Sequence, residues 1–198
     1  MKNWLNVVKK TEKILQEANL PPNAVPPRLF LPIREASSLE NDDTFQDLWA
    51  GLLASASEKS DSLPPSFIET LKQLTPREAK ALDMLFASTR MRNNSWIPCD
   101  MHSLIAGIQS DINFNLVTET FERLGLIRRR YDLQKPNSGL SGWYNINQLL
   151  LYRWQSRFGT TSEEDPLPEL TYRFEFTEYG VQFMNACLGP SKSKAKPI

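Results

Sequence analysis

The strongest hydrophobic periodicity in the chain lies at Phe45, Leu48, Trp49, Leu52, Leu53 and Ala56, three or four residues apart, which is one face of a 3.6-residue helix. Ahead of it, Trp4, Leu5, Val8, Ile14 and Leu15 predict an opening helix that stops at Pro21-Pro22. Five prolines between 21 and 32 argue against a helix or a central strand. Val25, Leu29, Phe30, Leu31 and Ile33 are therefore expected in an extended strap packed on the helices. After the polar stretch Ser57 to Ser62, Pro64-Pro65 opens a short helix with Phe67, Ile68, Leu71 and Leu74 inward. Thr75-Pro76-Arg77-Glu78 is a capping box with proline at the first helical position. It begins a helix that buries Ala79, Leu82, Leu85 and Phe86.

Past the polar break Arg90 to Ser95 the pattern changes. Pro98 to Gln109 predicts a short helix with Leu104, Ile105 and Ile108 inward. Asn113 can cap a second helix, with Leu116, Val117, Thr120, Phe121 and Leu124 inward and Gly125 closing it. Leu126 to Tyr131 reads as a strand, and Leu170 to Phe176 as another, alternating Tyr172, Phe174 and Phe176 against Arg173 and Glu175. Thr177 to Gly180 opens a last helix with Val181, Phe183, Met184 and Cys187 inward. The order helix, helix, "ERLGLIRR", hairpin, "YRFEFTEYG", helix resembles winged-helix proteins, especially bacterial regulators of the MarR and PadR kind. In those, the first run ends the recognition helix and enters the wing, and the second leaves it. The departure here is the long wing insertion, 132–169, whose Trp143, Tyr144, Leu149, Leu150, Leu151, Tyr152 and Trp154 suggest an extra helix.

The expected architecture is mainly α with a small β wing: a helical region over 1–92, a winged-helix-like domain over 93–189, and a disordered lysine-bearing tail over 190–198. The break between the halves is too short and too poor in Gly and Ser for a flexible linker, so they are expected to share a core.

Composition narrows the function classes. The 198 residues are 40% hydrophobic and 23% charged, with Lys+Arg equal to Asp+Glu at 23. No net charge calls for nucleic acid or a membrane surface. No apolar run approaches the roughly 18 residues of a membrane span. Lys9, Lys10, Glu12 and Lys13 interrupt any signal-peptide core. Two cysteines, Cys99 and Cys187, make no disulfide framework, and a reducing cytoplasm is the expected location.

Little in the chain asks for catalysis. One His and two Cys cannot supply a usual zinc set. Cys99 and His102 fall at i and i+3 of an expected helix, but no third residue orients them. Glu40, Asp42, Asp43 and Asp47 resemble a metal cluster, yet carboxylates at a helix start face the positive end of its dipole and read better as capping groups. Glu163-Glu164-Asp165 reads as a solvated loop. There is no Gly-rich phosphate loop, nucleophile elbow or dinucleotide fingerprint. No catalytic, cofactor or metal residue is expected.

Nucleic acid is the open question. Residues 121–160 hold seven basic residues against two acidic ones, and residues 161–180 hold six acidic against one basic. Arg128, Arg129 and Arg130 are the candidate phosphate contacts. The expected recognition helix would expose Asn113, Asn115, Thr118, Glu119, Glu122 and Arg123, a poor set for a groove lined by phosphates. Trp143, Tyr144, Arg153, Trp154 and Arg157 are residue types enriched at protein interfaces, though they also suit the core of an extra helix. The readings are a packing or protein-binding module, partnered by another protein or a second copy; a DNA-binding regulator; and, third, a toxin whose enzymatic site follows no familiar motif.

The first half carries a more specific likeness. "VPPRLFLPIREASSLENDDTFQDLWAGLLASASE" followed by "LPPSFIETLKQLTPREAKALDML" resembles the abortive infection alpha family over roughly residues 1–90. Leu48, Trp49, Leu52, Leu53, Pro65, Phe67, Pro76 and Glu78 mark the family motif, and they read as core and capping positions. The resemblance implies a bacterial protein associated with resistance to bacteriophage, with no catalytic residues to transfer. It also implies that some relatives carry extra sequence before this region. A membrane-directed or effector segment is expected to be missing from a chain that begins almost at the motif.

Overall fold

The helix with the strongest periodicity is also the most enclosed. In the computed structural model, which describes residues 2–59, 63–91, 97, 114–134 and 169–193, this helix spans Asp43–Glu58 and is labelled α3 after α1 (Lys2–Glu17) and α2 (Pro27–Leu39). Burial extends beyond its apolar stripe to Gln46, Ala50, Gly51, Ala54 and Ser57, because neighbours cover it on several sides. α1, α2, α5 (Pro76–Met91) and α7 (Glu178–Ser193) all pack on it. The remaining elements are α4 (Ser66–Gln73), α6 (Phe114–Arg123), β1 (Ile127–Gln134) and β2 (Glu169–Phe176). The helix expected over 98–109, the Cys99–His102 pair and the aromatic residues of the insertion lie outside the described residues.

α7 approaches α3 through backbone. A Cβ at Gly51 would fall 1.7 Å from the carbonyl oxygen of Cys187, so any side chain there would push the helices apart. One turn on, the Ser55 hydroxyl donates to the Ala186 carbonyl at 2.8 Å. α7 then breaks at Gly189, whose φ of 78° is left-handed, and the break lays Gly189 on Ile14 and Gly51. Gly189 and Pro190 are buried and α7 continues to Ser193, past the point where the tail was expected to start.

Three local expectations change. The proline strap becomes helical from Pro27: proline suits the first helical position, and Pro32 is carried inside α2. Leu29, Ile33 and Ser37, four residues apart, are its buried stripe. In α1 the buried stripe is Val7, Thr11 and Leu15, leaving Leu5 exposed. The Thr11 hydroxyl makes that rotation possible by donating to the Val7 carbonyl at 2.8 Å and reaching Ala50 of α3 at 3.3 Å. In α6, Val117, Thr118 and Phe121 are buried while Leu116 is 61% exposed, so Thr118 moves in and Leu116 out.

Caps follow the sequence closely. Thr75 and Glu78 exchange hydrogen bonds, Glu78 N–H to Thr75 Oγ1 at 3.2 Å and Thr75 N–H to Glu78 Oε2 at 2.8 Å. α6 ends in a Schellman turn at Gly125, φ 70°, with Leu126 N–H on the Phe121 carbonyl at 2.9 Å and Gly125 N–H on Glu122 at 3.0 Å. Thr177 caps α7 by accepting from Gly180 N–H at 2.9 Å, and its hydroxyl donates to the Gly125 carbonyl. β1 and β2 pair antiparallel from Ile127↔Phe176 to Gln134↔Glu169. Asp132 to Gln134 and Glu169 therefore belong to the ladder rather than to the insertion. Ile97 N–H donates to the Phe174 carbonyl at 3.0 Å, tying the segment after α5 to β2. One buried apolar cluster runs from Val7 through Leu85 and Phe121 to Cys187.

Gly51→Ala should destabilise the chain by about 1–3 kcal/mol or more through overpacking against α7. Trp49→Ala should cost about 3–5 kcal/mol through the cavity it leaves. In urea denaturation both variants, like the wild type, should unfold in one transition seen alike by far-UV circular dichroism and tryptophan fluorescence. Two separated transitions would show that the halves do not share stability.

Candidate functional site

A strand sends successive side chains to opposite faces, so the three arginines of β1 cannot act as one patch. Arg129 shares a face with Ile127, Phe174 and Phe176, the face that meets the helices. Phe174 and Phe176 are buried there, and Phe176 packs edge-on against Phe86 of α5 at 5.2 Å between centroids. The Arg129 guanidinium lies 5.3 Å from the Phe174 ring centroid and pairs with Glu122 of α6 at 2.9 Å.

Arg128 and Arg130 occupy the opposite face, with Glu175 directly across from Arg128. Both direct their Nε to the same oxygen, Glu175 Oε1, Arg130 at 2.9 Å. The carboxylate side chain is 5% exposed, whereas the two arginines are 56% and 53% exposed. Burial alone would raise the Glu175 carboxyl, but the hydrogen bonds and positive charge of Arg130 and Arg128 outweigh it and hold the group below its ordinary range. Strand alternation placed Glu175 opposite the aromatic face correctly. Its partners lie 45 and 47 positions earlier in the chain, which no local pattern reveals. Glu178 accepts from Gln182 within α7 at 3.3 Å.

α6 adds little positive charge beside this ribbon. Asn115 and Glu119 are exposed, Glu122 is engaged by Arg129, and Arg123 donates to Gln73 of α4 at 2.9 Å.

The acid-rich lead into α3 is built for folding. Asp42 accepts from Phe45 N–H at 2.8 Å as the N-cap, and Glu40 accepts from Asp42 N–H at 2.8 Å. Asp43 and Asp47 each meet Lys10 of α1 at 2.7 Å. Burial works against the charge of Lys10, but these two carboxylates prevail and raise its pKa. Lys10 is the residue that sequence reasoning missed, since nothing local links it to acids more than thirty positions away. The motif positions Leu48, Trp49, Leu52, Leu53 and Phe67 are buried, Pro65 stands at the N-cap of α4, and Pro76 and Glu78 form the start of α5. Burial pushes the Cys187 thiol far up. Among the described residues no group of three or more His, Cys, Asp or Glu is placed to hold a metal ion, and no helix is long and apolar enough to cross a membrane.

A family model described as abortive infection alpha matches residues 2–187. The chain belongs to the abortive infection alpha family. The match extends well beyond the first half, where the sequence likeness was clearest, and takes in α6, the β1–β2 ribbon and most of α7. The Glu175 cluster therefore lies within the matched span. No curated protein and no solved structure matches this abortive infection alpha chain.

Because the folded-state pKa of Glu175 lies below the ordinary 4.5, its charge contributes stability that is fully present above the unfolded-state pKa. That stability is lost as pH falls through the lower folded-state value. Glu175→Gln should be less stable than wild type near neutrality, and the gap should close as pH falls below the ordinary carboxylate range. Urea midpoints across this pH range would test it. An unchanged gap between the two proteins would mean that the carboxylate charge is not what stabilises the cluster.

Proposed function

We propose that this chain serves abortive infection as a non-enzymatic binding module, engaging a protein partner (a defence component or a phage product) or a second copy of itself. In this reading residues 93–189, with α6, the β1–β2 ribbon and α7, form a winged-helix-type unit used for packing and protein contact. The observation that carries it is the pairing of the three β1 arginines with Glu122 and Glu175. Together these five side chains leave one net positive charge. A duplex reader neutralises several phosphates, and its affinity falls steeply with salt in proportion. Glu119, exposed on α6, would face the same phosphates unfavourably. Ile97, joined to β2, supports a single compact unit. The insertion residues Trp143, Tyr144, Arg153, Trp154 and Arg157 supply interface chemistry to the partner.

Mobility shift with random and promoter duplexes should show weak or no binding near physiological salt. Sub-micromolar, salt-sensitive binding abolished by changing Arg128, Arg129 and Arg130 to Ala would overturn this reading in favour of a DNA-binding regulator. Affinity purification from phage-infected cells, with mass spectrometry of bound protein and nucleic acid, should recover protein. Deleting residues 137–166 should change the oligomeric state or the partner recovered.

A further inference from the structure

Arg128 and Arg130 form an unusual pair for a solvated strand face. An exposed arginine is ordinarily free to sample many rotamers. These two are each anchored at Nε by one buried carboxylate oxygen, while more than half of each side chain stays open to solvent. A guanidinium anchored at Nε still presents its two Nη nitrogens as a planar donor fork. Among the described residues, Glu175 is the acid these two arginines share. Arg173, directly across from Arg130, is itself engaged and adds nothing to this pair.

We infer that Arg128 and Arg130 are a carboxylate clamp for an acidic segment of a protein partner, with Glu175 as the positioning residue beneath them. The inference rests on the protein-binding reading above and names the chemistry of the partner. Two forks facing solvent match carboxylates in bidentate geometry. Because Glu175 holds them in place, less side-chain freedom is lost when a partner binds. The charge balance selects the partner class. Two arginines over one glutamate leave a single positive charge, which one carboxylate satisfies. A duplex would bring a row of phosphates past this site and past exposed Glu119, with too few cations to meet them.

Fluorescence anisotropy with a labelled polyglutamate peptide and, separately, a short random DNA duplex tests this at low salt, with each variant's fold checked by circular dichroism. The wild type should bind the peptide, and Arg128→Ala with Arg130→Ala should weaken it about tenfold or more. Glu175→Gln keeps an acceptor oxygen for both Nε groups and removes a negative charge, so it should bind the peptide several-fold more tightly. Glu175→Ala removes the same charge but also the anchor, and should bind more weakly than Glu175→Gln. Should Glu175→Ala fail to fold, the arginine variants and Glu175→Gln still decide the matter. Peptide binding unchanged by the arginine substitutions, or absent altogether, overturns the clamp. So does tighter binding of the duplex than of the peptide, which would overturn the protein-binding reading as well. Undiminished partner recovery from infected cells by the Arg128→Ala, Arg130→Ala protein would overturn the clamp alone.

Discussion

Direct contact between α3 and the backbone of α7 at Gly51 sets the geometry of the rest. Because no side chain intervenes, α7 lies deep enough for Ser55 to reach the Ala186 carbonyl and for Gly189 to settle on Ile14. α3 is then covered by α1 on one side and α7 on another, and residues such as Ala50, Ala54 and Ser57, which would face solvent on an ordinary amphipathic helix, become interior. Half of the motif positions, Leu48, Trp49, Leu52 and Leu53, lie in this helix, behind an acidic approach. Its acids serve that packing: Asp42 caps α3, while Asp43 and Asp47 draw Lys10 and with it α1 into place.

Wherever a local rule was sufficient, the sequence was readable. The Thr75–Glu78 box, the Gly125 stop, the two strands and the described helices other than α2 all follow from short-range chemistry. Errors arose where a distant contact decided between two local options. Pro32 was read as a helix breaker, but α2 is held by burying Leu29 and Ile33. Leu116 and Thr118 trade places because the packing of α6 selects a face slightly rotated from the most hydrophobic one, and the Thr118 hydroxyl satisfies itself on the Asn115 carbonyl at 2.9 Å. The candidate interface Trp143, Tyr144, Arg153, Trp154 and Arg157 lies outside the described residues. The candidate phosphate contacts were found as residues but not as an arrangement, since strand alternation splits them and two glutamates from different elements divide their charge.

The two faces of the ribbon thus use the same residue type for different ends. Arg129 is spent on cohesion: it covers Phe174 and ties β1 to α6 through Glu122. Arg128 and Arg130 keep much of their surface in water while surrendering one donor each to Glu175. A buried carboxylate without them would be costly, so the ribbon's outer face depends on both arginines remaining there.

The α3–α7 contact also bears on how the chain is made. Synthesis proceeds from the N terminus, and domains begin to fold as they emerge. Here the apolar surface of α3 that α7 covers stays open while well over a hundred further residues are translated, because Gly51 must wait for Cys187. Any product that ends before α7 keeps an uncovered central helix, the kind of surface that chaperones and proteases engage. The cover that α3 needs is therefore complete only once the chain has been synthesised through α7.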